Sequence, residues 1–347
     1  MKPQLKRAAT IALPAVLLAL TAAALFLMRD RTPASESSAI FVMDAPASIR
    51  LYGADTKSTE ELLTYLDGIF NIYLEGSPAA EFNRSGTAQV NEDMFRLINE
   101  VRLLSLYGGK SVSVTCGALT SLWNVTAESP SVPDKPDIDA ALLTVDDNAL
   151  MLVPEDGGYT LSTDISSQRL DFGSVAKGYA CDRLNELYNS MGDERPSCGI
   201  VSFGSSSLLY GEKPDGTDFR VEVRSPDGYS EPLGYITSPA CFISTSGGYE
   251  RFFEADGKRW IHILDLESGF PSDSDLASVT IVTDSGVKSD YLSTLVFLDG
   301  TAGLERHLSS PDFLLLAVDT SGRVYKSDGL SFELTDASHY RPAEENR

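Results

Sequence analysis

The 347-residue chain carries 28 Lys and Arg against 50 Asp and Glu, a formal net charge of −22. That balance excludes nucleic acid as a partner, because phosphate-backbone binding needs clustered cations. A phosphorylated small molecule stays open where a metal or backbone donors neutralise it locally. With 42% hydrophobic and 22% charged residues, the composition is that of a globular protein with a substantial core.

Lys2, Lys6 and Arg7 precede Ile11–Met28, an uncharged stretch of 18 residues. As a helix it would span ~27 Å, close to the hydrocarbon thickness of a bilayer. The preceding cations favour a cytoplasmic N-terminus, so the reading is a single-pass cell-membrane anchor with an extracytoplasmic domain. The alternative is a signal peptide cleaved near Ala22–Ala24, leaving an exported protein. Residues 1–31 are thus the anchor or signal segment, 32–39 a polar linker, 40–338 the main domain and 339–347 a charged tail. The four cysteines, Cys116, Cys181, Cys198 and Cys241, form no CxxC pair, which argues for buried thiols over a structural metal site.

Ile40–Tyr52 predicts a strand. Ser58-Thr59-Glu60-Glu61 matches a capping box, followed by Leu62, Leu63, Leu66, Ile69, Phe70 and Tyr73 at helical spacing. Asn91 caps a second helix through Tyr107. Glu128–Asp139, rich in Pro, predicts a loop, and Ala176–Met191 a helix closed by Gly192. Gly199–Phe203, Phe219–Val223 and Ser278–Thr283 predict strands, Ser289–Leu298 a helix, and Phe313–Asp319 with Arg323–Lys326 a hairpin. Helices and strands mix without regular βαβ alternation, so the fold class is α+β, with mixed or antiparallel sheets and flanking helices.

Four segments carry candidate chemistry. Leu170–Asp182 runs from a strand through a small-residue turn into a helix bearing Lys177 in its first turn, a place where anions are favoured. Ser244–Arg251 sets three hydroxyls and two glycines before an arginine, a set able to hold phosphate oxygens or to form an ordinary hairpin. His262 sits among apolar neighbours and could act as a general base, with Asp265 orienting it. Asp290 and Thr294, four apart on a helix, place two oxygens on one face; such a pair suits Mg²⁺ or serves the helix itself.

Together, in this order, the segments resemble the ApbE family of FAD:protein FMN transferases. The family pattern is approximately Asp-x-Gly-Gly-x-Ala-Lys-Gly-Tyr-Ala-x-Asp, Ser-Thr-Ser-Gly-x-Tyr-Glu-Arg, His-Ile-x-Asp-Pro-x-x-Gly-x-Pro and Asp-x-x-x-Thr. Weaker matches extend from about Phe41 to Leu298, among them Ser48–Gly53, Asn83 and Thr115–Trp123. The resemblance implies an ApbE-like fold and Mg²⁺-dependent transfer of FMN from FAD to a Ser or Thr of a flavoprotein subunit or FMN-binding domain, through a phosphodiester, with release of AMP. It implies that Asp290, Thr294 and the carbonyl of Ser174 hold the metal. It places FAD near Met43, Tyr73, Thr115, Cys116, Asp171, Lys177 and the backbone of Leu264, and makes His262 the residue that activates the acceptor hydroxyl. FAD hydrolysis to FMN and AMP, and a non-catalytic flavin-binding module, are the alternatives. Departures from the pattern are Ala45 where Thr is usual, Glu81 for an Arg, Ser113 for an Asp, Ser174 for Gly or Ala, Ser205 for the second Gly and Leu266 for the Pro.

Overall fold

The computed structural model describes residues 34–108, 111–228, 231–335 and 339–343. The expected anchor or signal segment, residues 1–31, lies outside the described residues, among which no helix is long and apolar enough to cross a membrane.

In chain order the elements are strands β1 (Ser35–Val42) and β2 (Ala45–Tyr52), helices α1 (Lys57–Phe70) and α2 (Pro78–Ser85), β3 (Thr87–Val90), α3 (Glu92–Gly108), α4 (Gly117–Trp123) and α5 (Lys135–Leu142). Then follow β4 (Leu150–Glu155), β5 (Gly158–Thr163), α6 (Ala176–Ser190), β6 (Cys198–Ser202), β7 (Ser206–Gly211), β8 (Phe219–Val223), β9 (Gly234–Ser238) and β10 (Cys241–Gly247). The chain continues with β11 (Phe252–Ala255), β12 (Lys258–Ile261), β13 (Leu276–Thr283), α7 (Gly286–Leu308), β14 (Leu314–Asp319), β15 (Arg323–Lys326), β16 (Phe332–Leu334) and β17 (Arg341–Pro342).

The α+β expectation holds. A nine-stranded sheet, ordered β1-β2-β6-β7-β10-β13-β14-β15-β17, is antiparallel except where β17 joins β15. One face carries α6 and α7 over a core that includes Val201, Leu208, Val279, Ile281, Tyr179 and Val296. The other face, through Leu209, Ile243, Val282, Leu316 and Val318, packs on Phe219, Val223 and Ile236 of the small sheet β16-β9-β8. Side chains alternate across β10 because successive Cβ atoms point to opposite faces. Ser244 and Ser246 therefore meet α7, whereas Thr245 turns away to bond Thr280.

Several boundaries move. The single strand expected at Ile40–Tyr52 is a hairpin whose loop, Met43-Asp44, lies in the left-handed region at φ 53° and 56°. Its first strand takes in Ser35–Ser38, which composition places in the linker. Helix α1 starts at Lys57, with Thr56 rather than Ser58 ahead of it; the Thr56 hydroxyl donates to Glu60 at 2.8 Å, and Thr59 faces inward to bond Tyr188. Helix α5 forms inside the Pro-rich segment, Pro136 occupying a first-turn position where no N–H is needed. Tyr340, placed in the tail by composition, is 2% exposed and bonds Ser225 and Asp227.

Candidate active site

A cleft of about 560 Å³ opens beside the start of α7, between the large sheet and a small lobe built from Leu119, Trp123, Ile138, Phe253 and Leu264. Met43, Tyr73, Cys116, Asp171, Ser174, Lys177, His262, Leu264, Asp290 and Thr294 all line it. Ten of the expected site residues, scattered over the chain, therefore converge.

The Met43 turn forms one rim. A left-handed conformation at a residue other than Gly costs about 1–3 kcal/mol, so something must hold it. The N–H of Met43 donates to Asp67 Oδ1 at 2.9 Å, and Arg251 clasps Asp44 through its carboxylate at 2.9 Å and its carbonyl at 3.2 Å. Tyr73, 86% exposed, stands at the mouth.

Asp171 is fixed from two directions. The side-chain amide of Asn83 brackets the preceding residue, donating to the Leu170 carbonyl at 2.9 Å and accepting its N–H at 2.6 Å. The Asp171 carboxylate itself accepts from Gly173 N–H at 2.8 Å and from the Thr120 hydroxyl at 2.7 Å. Farther along the same segment, in the first turn of α6, Lys177 donates to the Gly173 carbonyl at 3.1 Å. Lys177, Arg224 and Arg251 line the cleft beside the carboxylates of Asp44, Asp67, Asp171, Glu250 and Asp290. Arg251 is paired with Asp44 at 2.9 Å and Arg224 with Glu250 at 3.7 Å.

Asp290 is 5% exposed, and its carboxylate is met on both oxygens. Oδ1 accepts from the hydroxyls of Ser206 at 2.7 Å and Ser244 at 2.6 Å, and Oδ2 accepts from Gly178 N–H at 2.7 Å. One turn along, Thr294 lies 3.1 Å from the Ser246 hydroxyl, which also contacts Ser293 at 2.8 Å. The carboxylate of Asp290 and the hydroxyl of Thr294 are hard oxygens, the kind that suits Mg²⁺ and not a thiophilic metal. Among the described residues no three His, Cys, Asp or Glu side chains gather as a metal cage. A cation here would need oxygens from a ligand to complete its shell, which fits one that binds together with a phosphate. Ser206 escapes sequence reasoning because it belongs to no motif, and only the pairing of β7 with β10 brings it to Asp290.

His262 is half-buried beyond the end of β12. Its Nδ1 lies 3.2 Å from the Arg251 carbonyl. A carbonyl can only accept, so Nδ1 carries the proton and Nε2 is left as a base. Burial, with Arg251 and Lys177 adding to it, pulls its pKa down to about 4, so the ring is neutral at physiological pH. Asp265 does not orient it. That carboxylate accepts from Glu267 N–H at 2.9 Å and shapes the turn to Gly269 instead.

Two expected flavin contacts read differently in three dimensions. Thr115 is fully buried and does not line the cleft; its hydroxyl donates to Asp147 at 2.8 Å, which shapes the approach to α4. Cys116 does line the cleft, yet burial and neighbouring Asp171 push its thiol well above the ordinary range, so it stays protonated. All four cysteines are free.

A family model described as the ApbE family matches residues 43–313. A FAD:protein FMN transferase of Klebsiella pneumoniae (strain 342) is 27% identical over 263 residues, covering 74% of this chain and 80% of that protein. A FAD:protein FMN transferase of Treponema pallidum (strain Nichols) is 28% identical over 292 residues, covering 78% and 79%. Among solved structures, the ApbE protein of Thermotoga maritima superposes with a TM-score of 0.76 at 24% identity, covering 85% of this chain and 97% of that one. The flavin transferase ApbE of Vibrio cholerae gives a TM-score of 0.70 at 24% identity over 88% and 98%. The fold of this chain is the fold of those proteins.

Proposed function

Because this chain belongs to the ApbE family, we propose that it transfers FMN from FAD to a Ser or Thr hydroxyl of an acceptor protein and releases AMP. The observation that carries the reading is the convergence, in one cleft, of a neutral His262 with buried Asp290 and half-buried Thr294. The names of the related proteins, FAD:protein FMN transferases, support the same activity.

In this reading the acceptor oxygen attacks the FMN-side phosphorus of FAD, and the bond from that phosphorus to the AMP oxygen breaks. His262 Nε2 takes the hydroxyl proton, held in the right tautomer by the Arg251 carbonyl. Lys177 would set positive charge beside the pyrophosphate, while Arg251 is paired with Asp44 at the rim. Asp290, Thr294 and the Ser174 carbonyl would hold Mg²⁺, whose chemistry is to neutralise charge building on the phosphoryl oxygens. The N-terminal segment would tether this domain outside the cytoplasm, where membrane-bound flavoprotein subunits or FMN-binding domains would be the acceptors.

Incubating the purified full-length chain with FAD, Mg²⁺ and an acceptor domain tests the proposal. The expected result is a covalently fluorescent acceptor with one AMP per label, abolished by Asp290→Ala. AMP without labelled protein would make the chain a FAD hydrolase, and FAD binding without AMP a flavin-binding module.

A further inference from the structure

Helices α6 and α7 cross at a pair of glycines. A Cβ at Gly178 would lie 2.1 Å from the Gly286 carbonyl oxygen, and one at Gly286 would lie 2.0 Å from that of Gly178. No other residue permits so close a crossing. One turn beyond each glycine stands an aspartate, Asp182 on α6 and Asp290 on α7. Each reaches across to the first turn of the opposite helix. Asp290 accepts from Gly178 N–H at 2.7 Å, while Asp182 accepts from Gly286 N–H at 2.7 Å, Val287 N–H at 2.8 Å and the Ser285 hydroxyl at 3.3 Å. The two helices thus cap one another.

We infer that Asp182 is a positioning residue for the metal-binding oxygens, fixing the height of α7 against α6. The inference rests on the flavin-transfer reading of the same site. Helix formation alone does not require Asp182, because α7 already has its own N-cap: the Ser285 hydroxyl accepts from Lys288 N–H at 3.3 Å. What Asp182 adds comes from a different helix, so it constrains relative position. Asp290 and Thr294 ride on α7, whereas Ser174 and Lys177 lie at the entry and first turn of α6. A slide of one helix along the other would separate the Ser174 carbonyl from the Asp290 and Thr294 oxygens, and Mg²⁺ tolerates little departure from its preferred geometry. Asp182 does not line the cleft and acts through the register it imposes.

The test is Mn²⁺ binding, followed by electron paramagnetic resonance on the full-length chain with ADP supplied as pyrophosphate donor. Asp182→Ala is expected to raise the half-saturating Mn²⁺ concentration about tenfold or more, with Asp182→Asn, which keeps one acceptor oxygen, falling between it and the unaltered chain. In the transfer assay the Mg²⁺ concentration for half-maximal rate should rise in parallel, with kcat at saturating Mg²⁺ within about twofold. Asp93→Asn is the control for general loosening of α6, since Asp93 anchors Tyr179 and Arg183 of that helix. It should lower the melting temperature and leave metal half-saturation in place. Should Asp182→Ala not fold, Asp182→Asn decides. A folded Asp182→Asn with native half-saturation, or an equal shift in Asp93→Asn, overturns the inference. Absence of saturable Mn²⁺ binding by the unaltered chain would instead overturn the metal-site reading beneath it.

Discussion

Arg251 holds Asp44 by two contacts, at 2.9 Å to its carboxylate and 3.2 Å to its carbonyl, across 207 positions of sequence. Both side chains are largely exposed, so the pair itself contributes less than about 1 kcal/mol to stability. Its larger effect is local, keeping the left-handed Met43-Asp44 turn at the cleft rim. Arg251→Ala should shift the melting temperature little and raise KM for FAD about tenfold, with a smaller effect on kcat. An unchanged KM in steady-state assays would show that the turn holds without Arg251.

Ser206 and Ser244 donate to the same oxygen of Asp290. Either Ala substitution leaves one donor and should cost about 1–3 kcal/mol. The double variant leaves that oxygen buried with neither hydroxyl donor, so its cost should exceed the sum of the two single costs by more than about 0.5 kcal/mol. Urea unfolding of the three variants measures this, and simple additivity would refute shared support of Asp290.

His262 has its pKa lowered from 6.5 to about 4 by burial. As the proposed base it is competent when neutral, so its own limb in the pH–rate profile should fall near pH 4, not 6.5. The unfolded chain takes up a proton at this position below pH 6.5, while the folded chain resists until about 4. The stability associated with His262 is therefore present above 6.5 and lost as pH falls toward 4. His262→Gln should lower the transfer rate about 10²–10⁴-fold and make the melting temperature less acid-sensitive in that window. Calorimetry between the two pH limits showing identical slopes would contradict the neutral assignment.

Glu100 presents the opposite case. Burial first, and then Asp182 and Glu186, push its pKa from 4.5 up to about 7, against the opposing pull of Arg96. Its folded pKa exceeds the unfolded value, so the stability it contributes is complete below 4.5 and disappears as pH rises through 7. Glu100→Gln, already neutral, should melt a few degrees higher than the unaltered chain at about pH 8 and no higher at about pH 4.5. Thermal melts at the two pH values check the sign.

Much of the secondary structure was legible because it rests on local rules. Asn91 caps α3 as expected, its side chain accepting from Met94 N–H at 3.2 Å, and the α6 and Phe219–Val223 boundaries follow their patterns. The Met43-Asp44 turn was not legible. Asp44 suits a turn but Met43 does not, and the conformation is held by Asp67 and Arg251, which arrive from elsewhere in the chain.

The site divides in the same way. Sequence by itself determined which chemistry-bearing residues exist and in what order, so Asp171, Lys177, His262, Asp290 and Thr294 could be named from their motifs. Tertiary structure alone decided what each one touches. It gave Asp265 to a turn and not to His262, took Thr115 out of the cleft, and brought Ser206 to Asp290. Motif spacing records what neighbours along one element share. Whether a hydroxyl meets a carboxylate depends on which strands pair and how closely two helices cross. At Asp290 that was settled by the β7–β10 register and by the Gly178–Gly286 contact.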